Sequence, residues 1–138
     1  MIRNTAVTVC GPLNVNKLGV TYVHEHLMVK PQLPDEYYIP YTLDDEAAST
    51  EETRSFSAAG GETLVEMTPI NYGRNVKAYQ RIAQATGVHV ICCTGFHKQL
   101  FMPPWFGDKT DGELYDILMD EVTNGLDPPG CYQAGHQL

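Results

Sequence analysis

Basic side chains are scarce in this sequence: nine Lys and Arg stand against 17 Asp and Glu, giving a formal net charge of −8. Nucleic acids and anionic membranes are bound through concentrated Lys and Arg, so both are argued against as partners. A long apolar span is also missing, as is a basic N-terminal segment leading into an apolar core. We therefore expect no transmembrane helix and no signal peptide. The four cysteines, Cys10, Cys92, Cys93 and Cys131, make neither a C-x-x-C pair nor a secreted disulfide framework. They are expected to be reduced, small and buried, in a cytoplasmic protein. What remains is of ordinary composition, 138 residues with 43% hydrophobic and 19% charged, enough for one domain with a core.

Taken in order, Thr5 to Cys10 alternates loosely as a short strand and is turned by Gly11-Pro12 and Asn14. Val20 to Leu27 is a β-branched and aromatic strand, followed by a proline- and tyrosine-rich surface loop from Met28 to Tyr41. Thr42 to Ala59 is a peripheral helix, with Thr42 able to cap it, Asp44, Asp45 and Glu46 suiting its positive end, and Gly60-Gly61 ending it. Thr63 to Thr68 is a strand stopped by Pro69. Val76 to Ala85 is a helix closed by Thr86-Gly87, and Val88 to Thr94 is a third, almost wholly apolar strand that suits burial on both faces. After the aromatic loop Gly95 to Lys109, Thr110-Asp-Gly-Glu113 matches a capping box and opens a helix with Leu114, Ile117, Leu118 and Val122 in its stripe. The order β-α-β-α-β-α, with crossovers of this length, predicts a parallel α/β sheet whose strand ends share one edge. Ligands gather at the carboxyl ends of the strands in such folds.

His24 and His26 stand near such an end. Residues i and i+2 of a strand share a face, so both imidazoles would project together and could supply half of a nitrogen-rich divalent metal site. Two exposed histidines at a strand end are the plainer alternative. Glu25 alternates away from them. Glu66 and Thr68 lie at the end of the second strand; for Glu66 a structural ion pair competes with a place in the pocket. His97 follows the third strand and could touch substrate. Phe96, Phe101, Trp105 and Phe106 divide between loop core and pocket wall. His89, at the amino end of its strand, reads as structural, and Gly73-Arg74-Asn75 as a helix-starting turn with Arg74 in a salt bridge or, alternatively, on an anion.

These segments together resemble the phosphotriesterase family of the amidohydrolase superfamily. Gly19 to Leu27 is similar to its opening strand motif, Glu66 to Asn75 to its second strand and turn, Thr86 to Phe96 to its third strand, and Asp120 to Asp127 to the end of its third helix. The resemblance implies a (β/α)8 TIM barrel with two divalent metals, usually zinc, at the carboxyl ends of the strands. It assigns His24 and His26 to one metal. A bridging lysine or glutamate from strand 4, and histidines and an aspartate from later strands, would complete the centre. The implied reaction is water attack on a phosphotriester or lactone promoted by the metals. A small ester or lactone is the implied substrate, and the resemblance allows a homodimer.

The likeness extends over three β/α units, residues 1–127, and leaves residues 128–138 as an anomalous tail holding Cys131 and His136. A complete barrel needs roughly 250 residues, and no lysine or glutamate follows Asp127. The expectation is a truncated barrel with His24 and His26 as metal ligands, His97, Phe96, Trp105 and Glu66 as pocket residues, and no catalytic residue of its own. A zinc-dependent hydrolase, inactive as this piece, is the leading reading. A non-catalytic metal-binding or regulatory module is the alternative.

Overall fold

A computed structural model describes residues 4–31 and 41–126. The chain opens with an antiparallel hairpin, β1 (Thr5–Thr8) and β2 (Gly11–Asn14). The second strand occupies residues expected to be a turn. Thr5 pairs with Asn14 and Thr8 with Gly11, which moves the turn to residues 9 and 10. Pro12 offers no N–H, a loss that a two-stranded ribbon tolerates. Val9 N–H donates to Val90 O at 2.9 Å and the Gln80 side chain donates to Val9 O at 2.8 Å, tying the hairpin to the main body.

That body is a three-stranded parallel sheet in the order β3 (Thr21–Glu25), β4 (Thr63–Glu66), β5 (His89–Cys92). Helix α1 (Glu46–Ala58) connects β3 to β4, α2 (Val76–Thr86) connects β4 to β5, and α3 (Asp111–Asn124) follows β5. The expected α/β order with parallel pairing is present. Among the described residues no helix is long and apolar enough to cross a membrane.

Some boundaries differ from expectation for local reasons. Strand β3 ends at Glu25 because Leu27 N–H donates to the Glu66 carboxylate and leaves the ladder. Helix α1 starts after Asp45, whose side chain accepts from Ala48 N–H at 3.0 Å. Thr42 does not cap it, because Leu43 exchanges backbone hydrogen bonds with Val29 at 2.8 and 2.9 Å and holds this stretch extended. The same bridge buries Met28 and Val29, so the segment read as a surface loop begins in the interior; residues 32–40 of it lie outside the described residues. The stretch 128–138, with Cys131 and His136, also lies outside them.

The core sits between the sheet and α2. Tyr79, Ile82 and Ala78 are fully enclosed against Leu64 and Val90, and α2 shows the three-to-four spacing that delivers such a face. Asn75 caps α2 through Ala78 N–H at 3.1 Å, and Gly87 ends it at φ +76°. Helix α1 buries only Thr53 completely, as befits a peripheral helix. In β5 Val90 is enclosed, whereas His89, Ile91 and Cys92 are half-buried, so the apolar run is covered fully on one face only. Cys92 and Cys93 are half-buried; Cys10 is exposed, contrary to the expected burial, because it sits at the hairpin turn.

Candidate metal site

The histidine pair is aimed by an irregularity in β3. Tyr22 aligns with Leu64 and Glu25 with Glu66, so β3 spends three steps where β4 spends two. The extra residue exchanges the faces of the strand, as a β-bulge does. Tyr22 accordingly stacks on Phe56 of α1, with ring centroids 4.7 Å apart, while His24 and His26 take the opposite parity to Glu25. The two imidazoles lie edge to face at 5.3 Å between centroids. His24 is exposed, and the His26 side chain is 35% exposed.

His26 is held from below. Its Nδ1 lies 2.9 Å from Thr68 Oγ1 and 3.8 Å from Glu66 Oε1. Glu66 is 0% exposed. Among the described residues no Lys or Arg pairs with it. Its carboxylate accepts the N–H of Thr68 at 2.7 Å and that of Leu27, and so sits under the site rather than in it. Burial pushes the Glu66 carboxyl up, opposed by hydrogen bonds from Thr68 and Leu27. Burial, then the neighbouring His24, hold His26 below the ordinary imidazole range, with Glu25 pulling the other way. Neutral imidazole is the form that binds a divalent ion, and the lowered His26 favours that form. Among the described residues no group of three or more His, Cys, Asp or Glu is arranged to hold an ion.

Beside the pair stands an aromatic wall that the sequence reading resolved only in part. Tyr72 lies 6.4 Å from His26 and stacks on His97 at 4.5 Å and Phe101 at 4.8 Å; His97 and Phe101 lie 4.9 Å apart. His97 thus reaches the neighbourhood of the histidine pair through Tyr72. Phe96 packs with two aromatic rings of the 3-10 turn at Pro104–Asp108, Trp105 at 5.9 Å and Phe106 at 4.9 Å between centroids.

Asn71, read only as a turn residue, organises this wall. It is buried, its Oδ1 accepts His97 N–H at 2.6 Å, and its Nδ2 donates to Phe101 O at 2.9 Å. One amide therefore joins the loop after β4 to the loop after β5, and Ile70 N–H adds a bond to Gly95 O at 3.1 Å. Nearby, Arg74 pairs through both terminal nitrogens with Glu121 of α3, one of them at 3.0 Å, and Thr94 Oγ1 donates to Glu121 at 2.5 Å. Arg74 is thus in the salt bridge expected of it. A separate groove of about 460 Å³ opens between β3 and α1, lined by Glu25, His26, Asp44, Asp45, Glu52 and Phe56 among others. Its acidic rim and its position on the α1 side set it apart from the Tyr72–His97 wall.

A model of the phosphotriesterase family matches residues 4–135. The phospho-furanose lactonase of Mycoplasmopsis synoviae is 34% identical over 133 residues, covering 92% of this chain and 38% of its own. The crystal structure of an amidohydrolase from Mycoplasma synoviae superposes with a TM-score of 0.80 at 31% identity, over 94% of this chain and 40% of that one. A lactonase from Listeria monocytogenes gives 0.77 at 28% identity, over 88% and 43%. The chain thus spans about two-fifths of the length of the relatives it matches.

Proposed function

The chain belongs to the phosphotriesterase family, and on that premise we propose that it carries part of the active site of a metal-dependent hydrolase of small esters, lactones first and phosphotriesters second. The observation that carries this reading is the pairing of His24 and His26, with rings 5.3 Å apart, at the carboxyl end of β3. In this reading β3, β4 and β5 are three strands of a (β/α)8 barrel, residues 1–127 form the metallohydrolase unit, and the residues from 128 onward stand apart from it. His24 and His26 would hold a divalent ion, most simply zinc. When bound, such an ion supplies Lewis-acid polarisation of an ester carbonyl or phosphoryl group. Tyr72, His97 and Phe101 supply an apolar wall beside it, and Asn71 fixes where that wall stands. Lactone is preferred because named relatives are lactonases. A reducing compartment such as the cytoplasm suits Cys10 and Cys93, which are free thiols.

A second reading rests on the donor count. The described residues bring two imidazoles together, whereas catalytic zinc takes three protein ligands plus an open position. A metal-binding module without turnover accommodates that count.

Zinc titration by calorimetry, run beside lactone and organophosphate hydrolysis, separates the possibilities. Zinc should bind to the purified chain and be lost in both His24→Ala and His26→Ala. Zinc-dependent turnover abolished by the same substitutions selects the hydrolase, and binding without turnover selects the module. Zinc uptake that ignores both histidines would sink the site.

A further inference from the structure

We propose that Lys98 is a specificity-determining residue of this site, the seat of an anionic group carried by the lactone or ester. The inference deepens the hydrolase reading and rests on it for the class of substrate; the case for a seat at Lys98 comes from the geometry around it.

Lys98 follows His97 in the loop beyond β5 and stands at the start of the 3-10 turn Gln99–Phe101. One buried amide fixes its backbone on both sides. Asn71 accepts His97 N–H at 2.6 Å and donates to Phe101 O at 2.9 Å, and Phe101 N–H closes the turn on Lys98 O at 2.9 Å. The side chain folds back over that turn, with Nζ 5.4 Å from the centroid of the Phe101 ring. Phe101 is itself buried and stacks on both Tyr72 and His97. A cation at that distance is attracted to the ring face, so the ammonium is held over the aromatic wall on a fixed root.

Charge singles this residue out. Lys30, Arg54, Arg74, Arg81 and Lys109 are each paired with a carboxylate. Among the described residues Lys98 has no such partner. Neither have Lys17 and Lys77, but these stand on the turn before β3 and on α2, away from the wall. Lys98 is exposed, which leaves its ammonium open to an incoming ligand. A chain of net charge −8 repels anions overall, and an unpaired ammonium on a rigid aromatic support supplies the local attraction that an anionic substrate needs. Tyr72 continues the wall from Phe101 toward His26, at 6.4 Å between ring centroids. A ligand with its anion on Lys98 therefore lays its carbon skeleton along Phe101 and Tyr72 and turns its ester toward the histidine pair. A neutral ester lacks the first of these contacts.

Titration of the metal-free and zinc-loaded chain with γ-carboxy-γ-butyrolactone, and separately with neutral γ-butyrolactone, reads the preference through amide proton–nitrogen correlation spectra. The carboxylated lactone should shift the amides of His97, Lys98 and Phe101 and bind about fivefold more tightly than the neutral one, the gain of an exposed ion pair. Lys98→Gln should remove that preference and Lys98→Arg should keep it; the side chain is exposed, so neither change disturbs the core. Equal affinity for the two lactones, binding of neither, or a preference that survives Lys98→Gln overturns the proposal. The expected preference in the metal-free chain, beside zinc uptake that ignores His24 and His26, supports the anion seat and overturns the metal reading alone.

Discussion

At the scale of single residues, Arg74 and Glu121 bind the turn before α2 to α3 through a charge pair almost closed to solvent, their side chains 3% and 8% exposed. Removing one member strands the other in a poorly solvated place, a loss of about 3–5 kcal/mol. Glu121→Leu should therefore lower the urea midpoint sharply, whereas Arg74→Leu combined with Glu121→Leu should recover much of the loss, since two apolar side chains leave no stranded charge. An equal fall in both variants would mean that the pair is replaced by solvent at little cost. Such pairs, like the site itself, differ in how far the chain announces them. His24 and His26 are legible because a period of two is a local property of one strand. The part played by Asn71 is not, because it depends on where His97 and Phe101 arrive from another loop. The bonds that Glu66 accepts are hidden for the same reason, since only the fold reveals two backbone N–H groups converging on it.

At the scale of elements, the α3 start was fully readable, since Thr110 and Glu113 satisfy each other's backbone within four residues. Thr110→Ala should cost about 1 kcal/mol, measured by thermal unfolding at pH 7. The backbone and side-chain hydrogen bonds from Thr110, aided by Lys109, hold the Glu113 carboxyl below its ordinary 4.5. A depressed carboxyl stabilises the fold above its unfolded value and ceases to do so as pH falls through the lower folded value. The penalty for Glu113→Gln should accordingly be present at neutral pH and vanish in acid; a penalty independent of pH would place the effect in packing instead. Gly73 was legible as a turn but not as a contact. It sits at φ +83°, where an added Cβ would overlap the Lys30 backbone, while Lys30 N–H donates to Tyr72 O at 3.2 Å. Gly73→Ala should destabilise by about 1–3 kcal/mol and displace Tyr72, seen as a changed ring-current shift on His97. The shortening of β3 escaped the sequence because a side chain of β4 captures Leu27 N–H, and no local pattern foretells that.

At the scale of the whole molecule, the described three-stranded sheet ends on β3 at one side and on β5 at the other, where Val9 N–H of the hairpin donates to Val90 O. Val20, Tyr22 and Val23 are each more than half exposed on or beside β3, and Tyr115 and Val122 are exposed on α3. Unpaired strand edges beside apolar side chains are templates for association, and a charge on such an edge is the usual protection. None of Val20 to Val23 is charged. The acidic excess of the chain opposes association at low ionic strength, and added salt screens that repulsion. Two opposed terms therefore predict a definite salt response: sedimentation velocity at micromolar concentrations should show the mean sedimentation coefficient rising with protein concentration, and more steeply in high salt. Val23→Lys places a cation at the most exposed of these positions and should return the chain toward a monomer without lowering its thermal stability, because Val23 is 73% exposed and gives up little burial. A chain that stays monomeric across both salt conditions would show that the β3 edge is protected by some other part of the protein, and in that case Val23→Lys should change nothing.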